Sequence, residues 1–440
     1  MVWTRQFGGP GADYGNAVAV NASGVYVAGE TAGLPGQTKV GGLFDAFVAK
    51  FDLAGAAQWT REFGSAFEDA AYGVTANAAG VSVAGVTGDF LPGYTNLGLR
   101  DAYIRRYDVN GVETGTLQFG TNSNDYGYGI TSGTLAVYVC GYFSGSAVGQ
   151  TPLGGSDAFV VRFPNPPDVF VGGVVNNGSF APDPAPLAPG SIAAVFGTNL
   201  SDGSVVLGSS FGSDGKLTKS LGGASVTINN TPAPLFYATP DQLGVQIPFE
   251  VAGQTSATIR VAVVGQTSAP RTIPIDAVAP GIFTTTADGR GTAAVLHQDG
   301  ITPVTAQNPA KPNEVVLFFT TGLGARSPPL GIGEPAALNR TANQTITIDG
   351  ASAEILFSGA APGFVGLNQI NPRIPPGTRT GPNIPVLLSI GGKPGNAVTI
   401  PVGPQGSCGQ PAFSNRRMIL KIDLTQRPVE HHPRARRLRS

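Results

Sequence analysis

Apolar and polar residues alternate with a period of two along most of the first 163 positions, in short runs broken by Gly, Asn and Asp. Such alternation sends successive side chains to opposite faces of a strand, whereas an amphipathic helix needs apolar positions three and four apart. One stretch illustrates the pattern: runs near Tyr72–Ala76, Val81–Gly85, Asp101–Tyr107 and Val112–Phe119 each read as a strand. The turn Tyr107-Asp108-Val109-Asn110-Gly111 ends in Asn-Gly, a pair that tolerates positive φ and suits a tight hairpin.

The pattern recurs every 56 residues. Phe7-Gly8, Phe63-Gly64 and Phe119-Gly120 are in phase, as are Asp13, Asp69 and Asp125, and Val18, Val74 and Ile130. Gly29, Gly85 and Gly141 each close a Val-x-Val-x-Gly segment, and Asp45-Ala46-Phe47, Asp101-Ala102-Tyr103 and Asp157-Ala158-Phe159 each open an alternating strand. Four strands per period make a propeller blade. The expectation is an all-β chain whose residues 1–163 form a partial β-propeller of three four-stranded blades. Trp3–Phe7 matches the last strand of a blade, and the repeats stop after a third strand at Phe163. Three blades are fewer than the four to eight that usually close a ring. Three readings therefore stand side by side: a chain that begins in mid-fold and belongs to a longer protein, an open arc that pairs with a second copy towards six blades, or a small distorted ring. At these landmarks the repeats resemble the SBBP family of bacterial extracellular β-propeller repeats. The resemblance implies a propeller and carries no catalytic residues.

Pro164-Asn165-Pro166-Pro167 breaks the repeat, because proline cannot extend a central strand, and residues 164–167 read as a linker. Beyond it, short alternating strands return, and a weaker duplication appears. Val226-Thr227-Ile228 recurs as Ile346-Thr347-Ile348, Gln242 with Ile247-Pro248 as Gln369 with Ile374-Pro375, and Thr272-Ile273-Pro274-Ile275 as Thr399-Ile400-Pro401-Val402. The spacing predicts two β-sandwich modules, 168–283 and 284–403, joined near Pro280-Gly281-Ile282-Phe283. This half resembles the Solibacter-type uncharacterised C-terminal domain. The matching residues include Val174-Val175-Asn176-Asn177-Gly178-Ser179-Phe180, Leu187-Ala188-Pro189-Gly190-Ser191, Asn308-Pro309-Ala310-Lys311-Pro312 and Ala361-Pro362-Gly363-Phe364-Val365-Gly366-Leu367. The modules look similar to immunoglobulin-like TIG domains, which implies a spacer or surface-presentation role. At Asn371-Pro372-Arg373 the chain departs from that pattern, and the proline casts doubt on a central place for that strand.

Composition narrows the class. Charged residues are only 12% of 440, about half the usual share, while 63 glycines and 36 prolines punctuate the chain. A coiled coil, a helix-rich enzyme and a charged disordered chain are excluded. The longest apolar run, Val315-Val316-Leu317-Phe318-Phe319, is strand-sized, so no membrane span is expected. Residues 415–440 hold eight of the basic residues and two of the acidic ones, leaving a mildly acidic body without the basic stripe that tracks a phosphate backbone. Nucleic acid is not expected as a partner, and residues 404–440 read as a basic, disordered tail. Cys140 and Cys408 suit neither a disulfide framework nor a cysteine-rich zinc site, and no basic and apolar leader precedes the first repeat.

Candidate chemistry is sparse. Gly208-Ser209-Ser210-Phe211-Gly212 matches Gly-x-Ser-x-Gly, and Ser210, Asp276 and His297 allow a triad by arithmetic, but neither flank is helical as a nucleophile elbow requires. A Gly/Ser loop is the expectation for Ser210 and a strand-edge position for His297. Asp45, Asp101 and Asp157 recur with Lys50, Arg106 and Arg162. A ring of carboxylates can hold a cation or sugar, yet residues repeated once per blade are expected to satisfy the same turn in each. Tyr14, Tyr26, Tyr72, Tyr126 and Tyr128 fall in blade strands, where aromatic faces beside Asn and Asp suit either sugar stacking or core packing. No calcium loop occurs, and no catalytic residue, metal or cofactor is expected. The reading is a non-enzymatic bacterial surface or secreted protein that binds an unknown protein or carbohydrate through the propeller and uses the sandwiches as a spacer. A carbohydrate-active or hydrolytic enzyme is the rival, and a truncated product without independent function a third possibility.

Overall fold

The computed structural model describes residues 2–404 apart from 134, 148, 325–328 and 337–343, so the basic tail lies outside the described residues from 405 onward. Among the described residues every regular element is a strand except one 3-10 turn at Phe249–Val251, and no sheet closes into a barrel. The chain divides between Asn165 and Pro166 into two compact units.

In the first unit the 56-residue period becomes three antiparallel sheets. β1 (Asp13–Asn21), β2 (Gly24–Thr31), β3 (Asp45–Phe51) and β4 (Ala57–Phe63) form the first. β5 (Asp69–Asn77), β6 (Gly80–Thr87), β7 (Asp101–Asp108) and β8 (Glu113–Phe119) form the second. β9 (Asp125–Ser132), β10 (Ala136–Phe143) and β11 (Asp157–Pro164) form the third, which has three strands among the described residues, as the sequence phase implies. The sheets pack face to face. Val81 and Val83 of β6 join Tyr26, Ala28 and Val48 of the first sheet in one core, while Ala84 and Ile104 on the opposite face pack with Val137 and Val139 of the third. Packing on both sides explains why every residue of β6 is buried. Each such aliphatic side chain contributes about 1.5–3 kcal/mol on leaving water.

The opening segment is placed by the same logic. Trp3 donates from Nε1 to the Leu53 carbonyl at 3.2 Å and Arg5 from Nε to the Gly55 carbonyl at 2.6 Å. One period later Trp59 and Arg61 of β4 donate to the carbonyls of Val109 and Gly111, at 3.1 and 2.8 Å. Trp3–Phe7 thus lies on the first blade as β4 lies on the second, but is assigned to no strand ladder.

The second unit contains two sandwiches with the same pairing order. In the first, Asp168–Asn176, Ile192–Thr198, Gln242–Gln246 and Leu235–Ala238 face a sheet centred on Ala224–Ile228 and Ser256–Val263, and the two sheets share one apolar core. In the second, Gly281–Ile282, Val316–Thr321, Asn368–Arg373 and Glu354–Ala360 face a sheet centred on Gln344–Ile348 and Gly381–Ile390. Gly281–Ile282, at the end of the first predicted module, pairs with Thr320 and Thr321 of the second sandwich. Pro372 finds a position compatible with its missing N–H. Asn368–Ile370 pairs on both sides, whereas Pro372 faces Ile355 beside a bulge and falls in the gap between the end of the ladder to Val316–Thr321 and the isolated Val315–Arg373 bridge.

The sandwiches are joined by more than a linker. Ile192, Phe236 and Tyr237 of the first pack with Phe283, Phe319 and Leu367 of the second. Thr321 Oγ1 accepts the Ile192 N–H at 2.9 Å and donates to the Gly366 carbonyl at 3.1 Å, and Gln246 Oε1 accepts the Gly333 N–H at 2.7 Å.

Candidate functional site

The first strand of every blade carries a β-bulge at the same phase. Pairing slips between Gly15 and Ala17, between Ala71 and Gly73, and opposite Cys140/Gly141, leaving Asn16, Tyr72 and Tyr128 as the extra residues. A bulge bends its strand and re-aims the extra side chain. The phased glycines permit it: a Cβ on Gly29, Gly85 or Gly141 would stand 1.8, 1.8 and 1.7 Å from the carbonyl oxygens of Tyr14, Ala70 and Tyr126.

The re-aimed residues meet from blade to blade. Asn16 donates from Nδ2 to the Ala71 carbonyl at 3.1 Å, and the Tyr72 and Tyr128 rings lie 5.2 Å apart. Tyr126 stacks on Tyr128 at 5.8 Å and on Tyr142, its cross-strand partner, at 5.1 Å. Tyr128 is 48% exposed, so the cluster reaches solvent and is more than core. Burial pushes the Tyr72 hydroxyl up to about 12, with Glu30 and the neighbouring tyrosines adding to it, and burial also raises Tyr142. Both phenols stay neutral hydrogen-bond donors at physiological pH.

Charged groups border the rings. Arg100 bonds Glu68 at 3.0 Å, which raises the guanidinium further, and it also interacts with Tyr126. Glu30 is raised by burial and then by Glu68. Arg100 and Glu68 form one wall of an open cleft of about 600 Å³, completed by Leu43, Phe67, Asp89 and Asn96. The cleft holds one aromatic ring, Phe67, with a guanidinium, two carboxylates and an amide, and Arg100, through its interaction with Tyr126, links it to the tyrosine cluster beside it. A few polar groups beside apolar ones at a concave surface suit a small-molecule site.

The structure sorts the five sequence-flagged tyrosines. Tyr72, Tyr126 and Tyr128 come together; Tyr14 packs on Phe44 instead, and Tyr26 is fully buried against Trp59. Tyr142, Arg100 and Glu68 escaped sequence reasoning. Tyr142 was detectable from strand pairing opposite Tyr126, but Arg100 and Glu68 lie in loops whose approach no spacing announces.

The phased aspartates serve turns. Asp45 accepts the Val40 N–H, Asp101 accepts the Leu97 N–H at 2.8 Å, and Asp157 accepts the Leu153 N–H at 2.7 Å. Asp13 and Asp69 likewise accept the N–H groups of Gly9 and Ser65, at 2.7 and 2.6 Å. Asp45 and Asp69 flank Gly64, and Asp101 and Asp125 flank Gly120. Burial raises Asp45 and Asp125, and lifts Asp69 to about 6. Lys50 donates to the Val109 carbonyl at 2.9 Å and Arg106 to that of Pro164 at 3.2 Å, so these bases also tie neighbouring repeats. Arg162, the third in phase, lies in β11 opposite Tyr138. Among the described residues no group of three or more His, Cys, Asp or Glu is arranged to hold a metal ion.

Ser210, Asp276 and His297 go separate ways. His297 Nδ1 faces Glu314 Oε1 at 2.5 Å and its Nε2 faces the Asn308 carbonyl at 3.2 Å. The Asp276 carboxylate is engaged by Lys393, which lowers it, and the Ser210 carbonyl accepts the Thr218 N–H at 2.9 Å.

Residues 2–34 match the family described as "Beta-propeller repeat" (SBBP). No curated protein matches the chain. Among solved structures, domains 5-6 of the S-layer protein SbsC are 12% identical, with 54% of this chain and 98% of that chain covered and a TM-score of 0.20. Domains 4-9 of the same surface layer protein are 11% identical, with 84% and 46% covered and a TM-score of 0.20. The human Desmocollin-1 ectodomain is 11% identical, with 92% and 81% covered and a TM-score of 0.15. No helix among the described residues is long and apolar enough to cross a membrane.

Proposed function

We propose that the protein is a non-enzymatic recognition module of a bacterial surface or secreted protein, and that its first unit binds carbohydrate. The observation that carries this reading is the contact of the Tyr72, Tyr126, Tyr128 and Tyr142 rings beside the Glu68–Arg100 pair. A sugar ring presents an apolar C–H face that suits aromatic stacking, and equatorial hydroxyls that suit planar carboxylate, amide and guanidinium groups. Asp89 and Asn96 across the cleft supply further such partners. The neutral phenols add donors without the desolvation cost of a charge. In this reading the second unit is a spacer, and its resemblance to Solibacter-type C-terminal domains with TIG-like modules supports an extracellular placement.

The test is a glycan array probed with the full chain, followed by calorimetry on the glycans retained. Tyr72→Ala and Arg100→Ala are each expected to weaken binding by about tenfold or more, equivalent to about 1.4 kcal/mol. Ser210→Ala and His297→Ala leave it unchanged. Absence of binding to any glycan, equal binding by the Tyr72 and Arg100 variants, or release of new reducing ends during incubation would each overturn the proposal.

A further inference from the structure

The interface between blades occurs twice inside the first unit, and among the described residues the matching faces of the first and third blades are exposed. Tyr26, Ala28 and Val48 on the trailing face of the first blade are fully buried against the second. On the third blade, 112 residues later, the corresponding Tyr138, Cys140 and Val160 are exposed, Val160 by 73%. At the other end, Val18 is 67% exposed on the leading face of the first blade, whereas Val74, its counterpart in the second, is 9% exposed. The outer strands tell the same story. β4 and β8 pair with β3 and β7, but β11 has no partner on that edge among the described residues, and Trp3–Phe7 is an outer-strand sequence that joins no ladder.

We propose that the trailing face of the third blade receives the leading face of the first blade of a second copy of this chain, with Trp3–Phe7 of that copy pairing along β11. Such an interface repeats contacts that the chain already makes twice. Translating the β3–β4 register by whole periods sets Phe7 opposite Ala158, Arg5 opposite Val160 and Trp3 opposite Arg162. The partner contributes a face different from the one it meets, so the contact is heterologous and head-to-tail. Two copies would bring six blades together, within the range that closes a ring. Closure would remove the open β11 edge, which otherwise invites pairing with unrelated strands. The inference does not depend on the carbohydrate reading, because it uses blade faces and strand edges alone.

Sedimentation and light scattering of the full chain should give a concentration-dependent mass of twice 44.8 kDa. Val18→Glu spoils only the leading face and Val160→Glu only the trailing face. Each variant alone is expected to be monomeric, and an equimolar mixture is expected to recover a one-to-one complex through the two intact faces. Alkylation of Cys140, read by peptide mass spectrometry, should slow in that mixture relative to Val18→Glu alone. Both substitutions fall at exposed positions, and recovery on mixing proves that the variants are folded. A wild-type chain that stays monomeric at every concentration reached overturns the proposal. So does a dimer that survives either single substitution, or a mixture that remains monomeric.

Discussion

Gln118 donates from Nε2 to Asp101 Oδ2 at 2.8 Å, and one period earlier Glu62 occupies the same place beside Asp45. The correspondence extends to the backbone, since Gln118 accepts the Leu91 N–H and Glu62 that of Leu34, both at 2.8 Å. The first junction therefore holds two carboxylic acids where the second holds an amide and an acid. Burial raises both Glu62 and Asp45; the Asp45 charge raises Glu62 further, whereas the hydrogen bond from Glu62 acts the other way and favours an ionised Asp45, so the pair holds one proton on Glu62.

Replacing Glu62 by Gln copies the Gln118–Asp101 pair into the first junction. Raised acids bind protons more tightly when folded, so their contribution is full at low pH and fades as pH rises through the folded value. Glu62→Gln should therefore stabilise the first unit at pH 7 by about 1 kcal/mol and have little effect near pH 4. Both tryptophans, Trp3 and Trp59, lie in this unit, so their fluorescence follows its melting alone. A lower melting temperature at pH 7 would contradict the paired-carboxyl account.

Asp69 is a pH-sensitive element with a defined window. It is 1% exposed and its carboxyl is lifted to about 6, chiefly by burial. Its unfolded value is near 3.9, so stability falls between about pH 4 and pH 6 by on the order of 3 kcal/mol. Asp69→Asn removes that titration while its carbonyl oxygen still accepts the Ser65 N–H. The tryptophan-monitored melting curve of the variant should be flatter over this window than that of the wild type. An unchanged slope would show that Asp69 ionises as freely when folded as when unfolded.

Gly85 tests the bulge. Its absent side chain leaves room for the Ala70 carbonyl, which a Cβ would meet at 1.8 Å. Gly85→Ala must push β5 away from β6, and overpacking of a buried site costs about 1–3 kcal/mol, sometimes more. We expect a loss at the upper end of that range and a displaced Tyr72 ring, read as weaker glycan binding. Gly115, with no atom near its would-be Cβ, is the control: Gly115→Ala should leave the melting temperature nearly unchanged.

Thr321 tests the joint between the sandwiches. It is fully buried and accepts the Ile192 N–H across the joint. Thr321→Val keeps the shape but strands that N–H and the Gly366 carbonyl, which should cost about 1–3 kcal/mol. Denaturant unfolding followed by far-ultraviolet circular dichroism should also show the two sandwiches losing structure together. Separate transitions for them would mean that their shared core does not couple them.

Strand content and period were legible from residue order because a strand's side-chain alternation and a tight turn's need for Gly, Asn or Asp are local properties. Blade number, the three described strands of the third blade and the equivalence of Trp3–Phe7 to β4 all follow from phase along the chain. The turn role of Asp45, Asp101 and Asp157 was equally readable, since each accepts an N–H four or five residues away. Tertiary structure alone decided which tyrosines come together. Tyr26 and Tyr72 look alike in sequence, but face-to-face packing buries one while a bulge turns the other towards Tyr128. It also placed Arg100 with Glu68, 32 residues apart, and fused the sandwiches through Thr321 and Ile192, 129 residues apart. Contacts across such separations depend on how sheets stack, and no periodicity within a strand encodes that stacking.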